Sequence, residues 1–304
     1  MAVVEIHRLV KRYGTVEALR GIDLQIADGE IFGILGPNGA GKTTTVEILA
    51  GLRARDGGSV RVFGLDPEKN RAQLITRMAL QPQHFDFVDN VTVREIVRLF
   101  AALYPGARND RVQQILERLG LSDRLNAQFQ ALSGGQRQRL NIALTLIGDP
   151  QLVILDEPTT GLDPQARQQI HDFVREIRAS GKTVILTTHY LEEAEKLCDR
   201  VAIIDHGRVI ACDRPRNLIA RFGGQTRIEF TCSDADMPFD GLPGVTQVLR
   251  EGDTWICWST NAAHTLETLF VMARERSVRL EQVGIRTPTL EDVFLQLTGR
   301  HFRD

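Results

Sequence analysis

The apolar residues of this 304-residue chain follow two spacings. Short runs over Glu30–Leu35, Leu152–Leu155 and Thr183–Thr188 have the length of buried strands, and the second reads as a central parallel strand. Elsewhere apolar positions recur three and four residues apart, the stripe of an amphipathic helix. Val46, Leu49 and Ala50 mark one helix face, over 44–50, with Gly51 as its stop. Val93, Ile96, Val97 and Phe100 mark a second, and Val112, Ile115, Leu116 and Leu119 a third. Leu140, Ala143, Leu144 and Ile147 mark a fourth. Ile170, Phe173, Val174 and Ile177 lie inward on a helix over 166–180, stopped by Gly181. Residues 2–10 and 20–27 read as strands around the loop Lys11–Thr15. The stretch 53–63 reads as a hairpin turning at Gly57-Gly58. A helical piece around 68–76 precedes a strand over 77–83 that Pro82 punctuates, and 201–211 reads as a hairpin around His206-Gly207. An α/β core divided by a helical insert, about 84–147, is the expected architecture.

Beyond about residue 225 the pattern changes. A strand over 226–232, two strands within 245–259 and an amphipathic helix over 262–276 precede a strand near 279–285 and a last helix over 289–298. The expected organisation is a main domain over 1–222 and a small α+β domain over 225–304.

Composition narrows the class. Apolar residues make up 42% and charged residues 25%, ordinary for a globular protein. With 37 basic and 39 acidic residues the net charge is −2, which gives no global electrostatic case for nucleic acid. The cysteines at 198, 212, 232 and 257 form no CxxC pair, so reduced thiols are expected rather than a metal site. The start, Ala2-Val3-Val4-Glu5-Ile6, reads as a strand and not as a signal peptide. No apolar run approaches the roughly 20 residues that span a bilayer, so work at a membrane would need another chain to supply the span.

The candidate chemistry begins between the strand ending at Leu35 and the helix that follows. Gly36-Pro37-Asn38-Gly39-Ala40-Gly41-Lys42-Thr43 fits the phosphate-binding loop G-x-x-x-x-G-K-[ST]. Backbone amides and the helix dipole suit an anion there, Lys42 would reach β- and γ-phosphates, and the Thr43 hydroxyl would sit on Mg²⁺. Thr44 opens the helix. Asp156 and Glu157 end the strand Leu152–Leu155, at the edge where open α/β sheets bind ligands. Asp156 is the expected partner of the Mg²⁺ shell, and Glu157 can reach a water. His189 directly follows another strand at the same edge. Ser133 can cap a helix, but Gly134 and Gly135 weaken a first turn and fit better with a second anion site of exposed amides. Tyr13 reads either as a half-buried surface tyrosine or as an aromatic face for adenine.

These elements together resemble the ATP-binding subunit of an ABC transporter. The phosphate loop at 36–43, Leu132-Ser133-Gly134-Gly135-Gln136, Leu152–Pro158, Gly161-Leu162-Asp163 and His189 match that family's motifs over roughly residues 2–222. The resemblance implies a P-loop NTPase fold with an antiparallel β subdomain and a helical subdomain. It implies ATP and Mg²⁺ as ligands. It places Gln83 where the family has its metal-contacting glutamine, with Gln81 a competitor disfavoured by the Pro82-Gln83 pairing, and it places Tyr13 against adenine. Thr43, Gln83 and Asp156 would serve Mg²⁺, Glu157 would be the general base, and His189 would contact the γ-phosphate. Two copies would enclose ATP head to tail, each phosphate loop facing the partner's Ser133, Gly135 and Gln136, with Asp163 linking the two sites. A separate membrane permease would hold the pair at the cytoplasmic face. Phe85, Phe87 and Val88, following Gln83, would either grip that permease or pack inside the helical insert. The stretch Pro288–Leu295 resembles the ending of daunorubicin-resistance-type (ABC-2) exporter ATPases, implying export of drug-like or lipid-like compounds. The alternative is a soluble ABC ATPase acting on nucleic acid or ribosomes. A kinase or GTPase would leave Leu132–Gln136 unexplained.

Overall fold

The computed structural model describes residues 2–83, 87, 90–104, 107–232 and 239–299. The chain forms two compact units, one ending at Pro215 and the other starting at Arg216.

The first unit opens with β1 (Ala2–Tyr13), β2 (Val16–Ala27), β3 (Ile31–Leu35), α1 (Lys42–Leu49) and β4 (Gly57–Val62). After α2 (Arg71–Leu74) and β5 (Met78–Gln81) come the insert helices α3 (Val93–Leu103), α4 (Asn109–Arg118) and α5 (Gly134–Leu146). The core resumes with β6 (Leu152–Asp156), α6 (Pro164–Ala179), β7 (Thr183–Thr188), α7 (Leu191–Leu197), β8 (Arg200–Asp205) and β9 (Arg208–Asp213). Six strands form one sheet in the order β5-β6-β7-β3-β8-β9, parallel except for the hairpin strand β9. Every residue of β3, β6 and β7 is buried, which is why Ile31–Leu35, Leu152–Leu155 and Val184–Leu186 run apolar without alternation. A second, antiparallel sheet has the order β2-β1-β4. Its inward residues, among them Ile6, Ile22 and Val60, share a core with Val46 and Leu49 of α1 and with Phe32 and Ile154 of the large sheet. That shared core fixes the start of α1 against the strand ends.

Three expectations need correction. The first two strands run on to Tyr13 and from Val16, leaving only Gly14-Thr15 as the turn. Gly57-Gly58 is no hairpin turn, because β4 is a single strand paired with β1. The pair lies at a shift of register between His7 and Val10, where a Cβ on Gly58 would stand 2.3 Å from the Arg8 carbonyl oxygen, so the glycines make room for a bulge. The divide between the units falls at Pro215 rather than 222, so α8 (Pro215–Phe222) goes with the second unit.

That second unit continues with β10 (Thr226–Cys232), β11 (Val245–Glu251), β12 (Thr254–Ser259), α9 (Ala262–Glu275), β13 (Leu280–Arg286) and α10 (Leu290–Thr298). Its antiparallel sheet has the order β11-β12-β10-β13. Ile228, Phe230 and Cys257 from the sheet meet Leu269 of α9 and Phe239 in its own core.

Candidate active site

The loop from β3 to α1 turns tightly under Leu19. Gly41 has φ 105, and a Cβ there would lie 2.6 Å from Leu19 Cδ2 and 2.9 Å from the Ala18 carbonyl oxygen. The first intrahelical bond of α1 runs from Thr45 N–H to the Gly41 carbonyl at 3.0 Å. The amides of Lys42, Thr43 and Thr44 therefore precede the helix's own bonding and stand at its positive end. Lys42 Nζ donates to the carbonyls of Gly36 at 2.8 Å and Pro37 at 3.3 Å, so the amine is held beside the same loop.

Strand order brings the carboxylates to this loop. β6 lies one strand from β3, separated by β7, and ends in Asp156 with Glu157 directly after it. Glu157 has φ 49, an uncommon conformation for a residue with a Cβ. Its carboxylate is buried and collects four partners. Lys42 Nζ stands 3.3 Å from Oε1, while Gln83 Nε2 at 3.2 Å and the Thr160 hydroxyl at 3.1 Å donate to Oε2. His189 Nδ1 lies 3.1 Å from the same oxygen. An ionised carboxylate only accepts, so Nδ1 carries the proton and Nε2 is left for another partner. Gln81 is also buried, but its amide donates to the Pro82 carbonyl, so it is Gln83 that meets this cluster.

Asp156 accepts from the hydroxyl of Thr187. Burial pushes its carboxyl above the ordinary aspartate range; the Thr187 and Thr43 hydroxyls oppose this, and the Glu157 charge adds to it. A carboxyl whose folded pKa lies above its unfolded one contributes stability below the unfolded pKa and loses it as pH rises through the folded pKa. Keeping Asp156 ionised thus costs stability. Asp156→Asn keeps an acceptor for Thr187 and removes the buried charge. It should raise the melting temperature by on the order of 1–3 °C at pH 7, with the gain vanishing toward pH 4. A lower melting temperature at pH 7 would contradict this assignment.

The remaining sequence candidates lie elsewhere in the unit. The Ser133 hydroxyl accepts from Gln136 N–H at 3.3 Å, and Gln136 Oε1 accepts from Ser133 N–H at 3.0 Å, a reciprocal cap on α5. Among the described residues these side chains make no bond to the Lys42–Glu157 cluster. Gly134 and Gly135 form the first turn above this cap, and a Cβ on Gly135 would lie 3.3 Å from Ala166 Cβ of α6. Asp163 caps α6, accepting from Ala166 N–H at 2.8 Å. Tyr13 is 40% exposed, with Lys11 Nζ 5.5 Å and Arg53 Cζ 5.2 Å from its ring centroid. Asn38 and Gly39 lie exposed on the loop, and Ala40 is buried beneath them.

Sequence reasoning missed Thr160 and Thr187. The signal for Thr187 was a hydroxyl in a fully buried strand, directly after the apolar run Val184–Leu186; its partner across the register was not readable.

A mostly parallel sheet that feeds a glycine-rich loop into a helix, with a buried lysine and two carboxylates at the strand ends, defines a P-loop nucleoside triphosphatase. The family described as "ABC transporter" matches residues 19–160. The Nod factor export ATP-binding protein I of Cupriavidus pinatubonensis is 40% identical over 100% of this chain and 93% of its own length. The daunorubicin resistance ATP-binding protein DrrA2 of Streptomyces coeruleorubidus is 39% identical over 97% of this chain and 95% of its own. Among solved structures, a dimeric bacterial ABC transporter cassette superposes with TM-score 0.63 at 27% identity, covering 69% of this chain and 98% of that one. The chain belongs to the ATP-binding subunits of ABC transporters, which bind and hydrolyse ATP. These relatives lend no support to the nucleic-acid alternative.

Proposed function

We propose that two copies of this chain enclose ATP head to tail and that hydrolysis drives a separate membrane permease in the export of drug-like or lipid-like compounds. The observation that carries the catalytic part is the buried Glu157 carboxylate, tied at once to Lys42, Gln83, Thr160 and His189. Lys42 and the amides at the start of α1 hold the β- and γ-phosphates, and Tyr13 offers its exposed face to adenine. Glu157 takes a proton from the attacking water, and His189 Nε2 faces the γ-phosphate. Asp156, held by the Thr187 hydroxyl, and Thr43 present hard oxygen donors of the kind Mg²⁺ takes alongside substrate phosphates, and the Gln83 amide completes the set. Mg²⁺ held by these residues would supply charge neutralisation to the phosphates. Because Ser133 and Gln136 bond to each other and not to this cluster, the amides of Gly134 and Gly135 are offered to a second chain's nucleotide. In this reading Asp163, at the start of α6, links the paired sites.

Support for the permease comes from an apolar groove of about 300 Å³, lined by Leu74, Met78, Leu80, Phe100, Tyr104 and Leu144. Leu52 and Ile75 stand on its wall, each 53% exposed. No helix among the described residues is long and apolar enough to cross a membrane; in this reading the permease supplies the span and holds the chain at the cytoplasmic face. Phe85 and Val88 lie outside the described residues. Phe87 stands edge-on to Phe129, with centroids 5.1 Å apart, and to Phe100 at 6.1 Å, so it packs within the insert. Leu52→Asp with Ile75→Asp should leave the isolated protein's ATPase within about twofold, since exposed positions cost little stability. The same pair should abolish co-purification with a co-expressed permease and transport in vesicles. Undiminished transport would remove the groove from the interface.

A further inference from the structure

The hydroxyl of Thr187 joins the two carboxylate residues at the end of β6. Thr187 is fully buried in β7, directly in register with Asp156. Its strand neighbours Val184, Ile185 and Leu186 are apolar and buried, so a hydroxyl here is unfavourable unless its bonding capacity is used. It is used on both sides. Thr187 Oγ1 accepts from Glu157 N–H at 2.9 Å and donates to Asp156 Oδ1. The direction is forced. A backbone N–H cannot accept, so the one hydroxyl proton points at Asp156, and Oδ1 is its acceptor.

Glu157 gains a second anchor from the same residue, its N–H also lying 3.2 Å from the Thr187 carbonyl oxygen. With φ 49, Glu157 holds a conformation that its surroundings must impose. Thr187 thus fixes the rotamer of the Asp156 carboxylate and the backbone from which the Glu157 side chain departs.

We propose that Thr187 is a positioning residue, which through one hydroxyl aims Asp156 at the nucleotide-bound metal and Glu157 at the attacking water. This rests on the roles proposed above for those two carboxylates. Thr187 acts through them, and its role shows in the coupling between metal and nucleotide as well as in turnover.

Thr187→Val keeps the side chain's shape and removes the hydroxyl; Thr187→Ser keeps the hydroxyl and removes a methyl. ATP affinity is to be measured with a fluorescent ATP analogue in the presence of Mg²⁺ and of EDTA, next to steady-state kcat. Thr187→Val should lose on the order of 10-fold of the strengthening that Mg²⁺ gives, the worth of a hydrogen bond to a charged group, and a similar factor in kcat. Its affinity in EDTA should stay within about twofold of wild type, because the phosphate loop is untouched. Thr187→Ser should restore both quantities to within about threefold. If Val does not fold, Thr187→Ala against Thr187→Ser makes the same comparison between smaller side chains. A Val or Ala variant with wild-type Mg²⁺ response and kcat overturns the role of Thr187. So does a folded Ser variant as impaired as Val or Ala, which would make the residue one of packing only. A wild-type protein whose ATP affinity ignores Mg²⁺ would remove the role of Asp156 itself and this inference with it.

Discussion

Glu157→Gln should bind ATP as well as the wild type and hydrolyse it roughly 10²–10⁴ times more slowly, the usual worth of a general base. The amide keeps the shape of the carboxylate but cannot take a proton from water. Its carbonyl oxygen can still accept from Gln83, Thr160 and His189, all of which meet Oε2 in the wild type. Its amino group then faces Lys42 Nζ, which lies 3.3 Å from Oε1, as donor against donor. Lys42 loses a competing anion and is free for phosphates, so affinity for ATP should hold or tighten. An ATP-bound dimer should accumulate and be visible by size exclusion. A kcat within about threefold of wild type would remove Glu157 from the chemistry.

The parts of this site differ in how readily the sequence shows them. The strand Thr183–Thr188 and the strand Thr226–Cys232 carry the bounds expected from their residues. β-branched runs between clear breaks leave little freedom there. The phosphate loop is local chemistry on one strand, one turn and one helix, and its motif states all three. Gly57-Gly58 misled because a glycine pair serves a turn or a bulge equally well, and only pairing with a distant strand decides. Here the tight turn lies further on, at Phe63-Gly64, both with positive φ. The Ser133 cap was one of two readings, whereas the cap that Asp163 makes on α6 was not read from the sequence; the fold uses both residues as caps. Thr187 and Thr160 were out of reach for a simpler reason. Their roles depend on register and on the turn after β6, and a threonine in a buried strand has no motif of its own.

Lys42→Ala should abolish useful ATP binding, since it removes the side-chain cation aimed at the β- and γ-phosphates. The effect on the fold is separable. Lys42 and Glu157 are each 5% exposed by side chain, so losing the amine leaves the carboxylate short of a charged partner. The remaining donors on Oε2 limit the damage to about 1.5–3 kcal/mol. Adding Glu157→Gln should return most of that stability and none of the ATP binding. A folded Lys42→Ala protein of near-normal ATP affinity would refute the phosphate-loop assignment.

The same variant gives the most direct test of a site shared between two chains. Ser133→Arg places a bulky cation at the exposed start of α5, where the loss of the cap itself should cost only about 1 kcal/mol. Each variant alone should be nearly inactive, since a homodimer of either spoils both of its sites. Mixing Lys42→Ala chains with Ser133→Arg chains rebuilds one intact site per heterodimer, from the phosphate loop of the Ser133→Arg chain and the α5 N-terminus of the Lys42→Ala chain. The measurement is ATP turnover of the mixture against that of the two separate proteins at equal total concentration. A shared site predicts turnover well above the sum of the separate proteins, rising with concentration as heterodimers form. Turnover that stays at that sum, under conditions where the wild type is an active dimer, would contradict it.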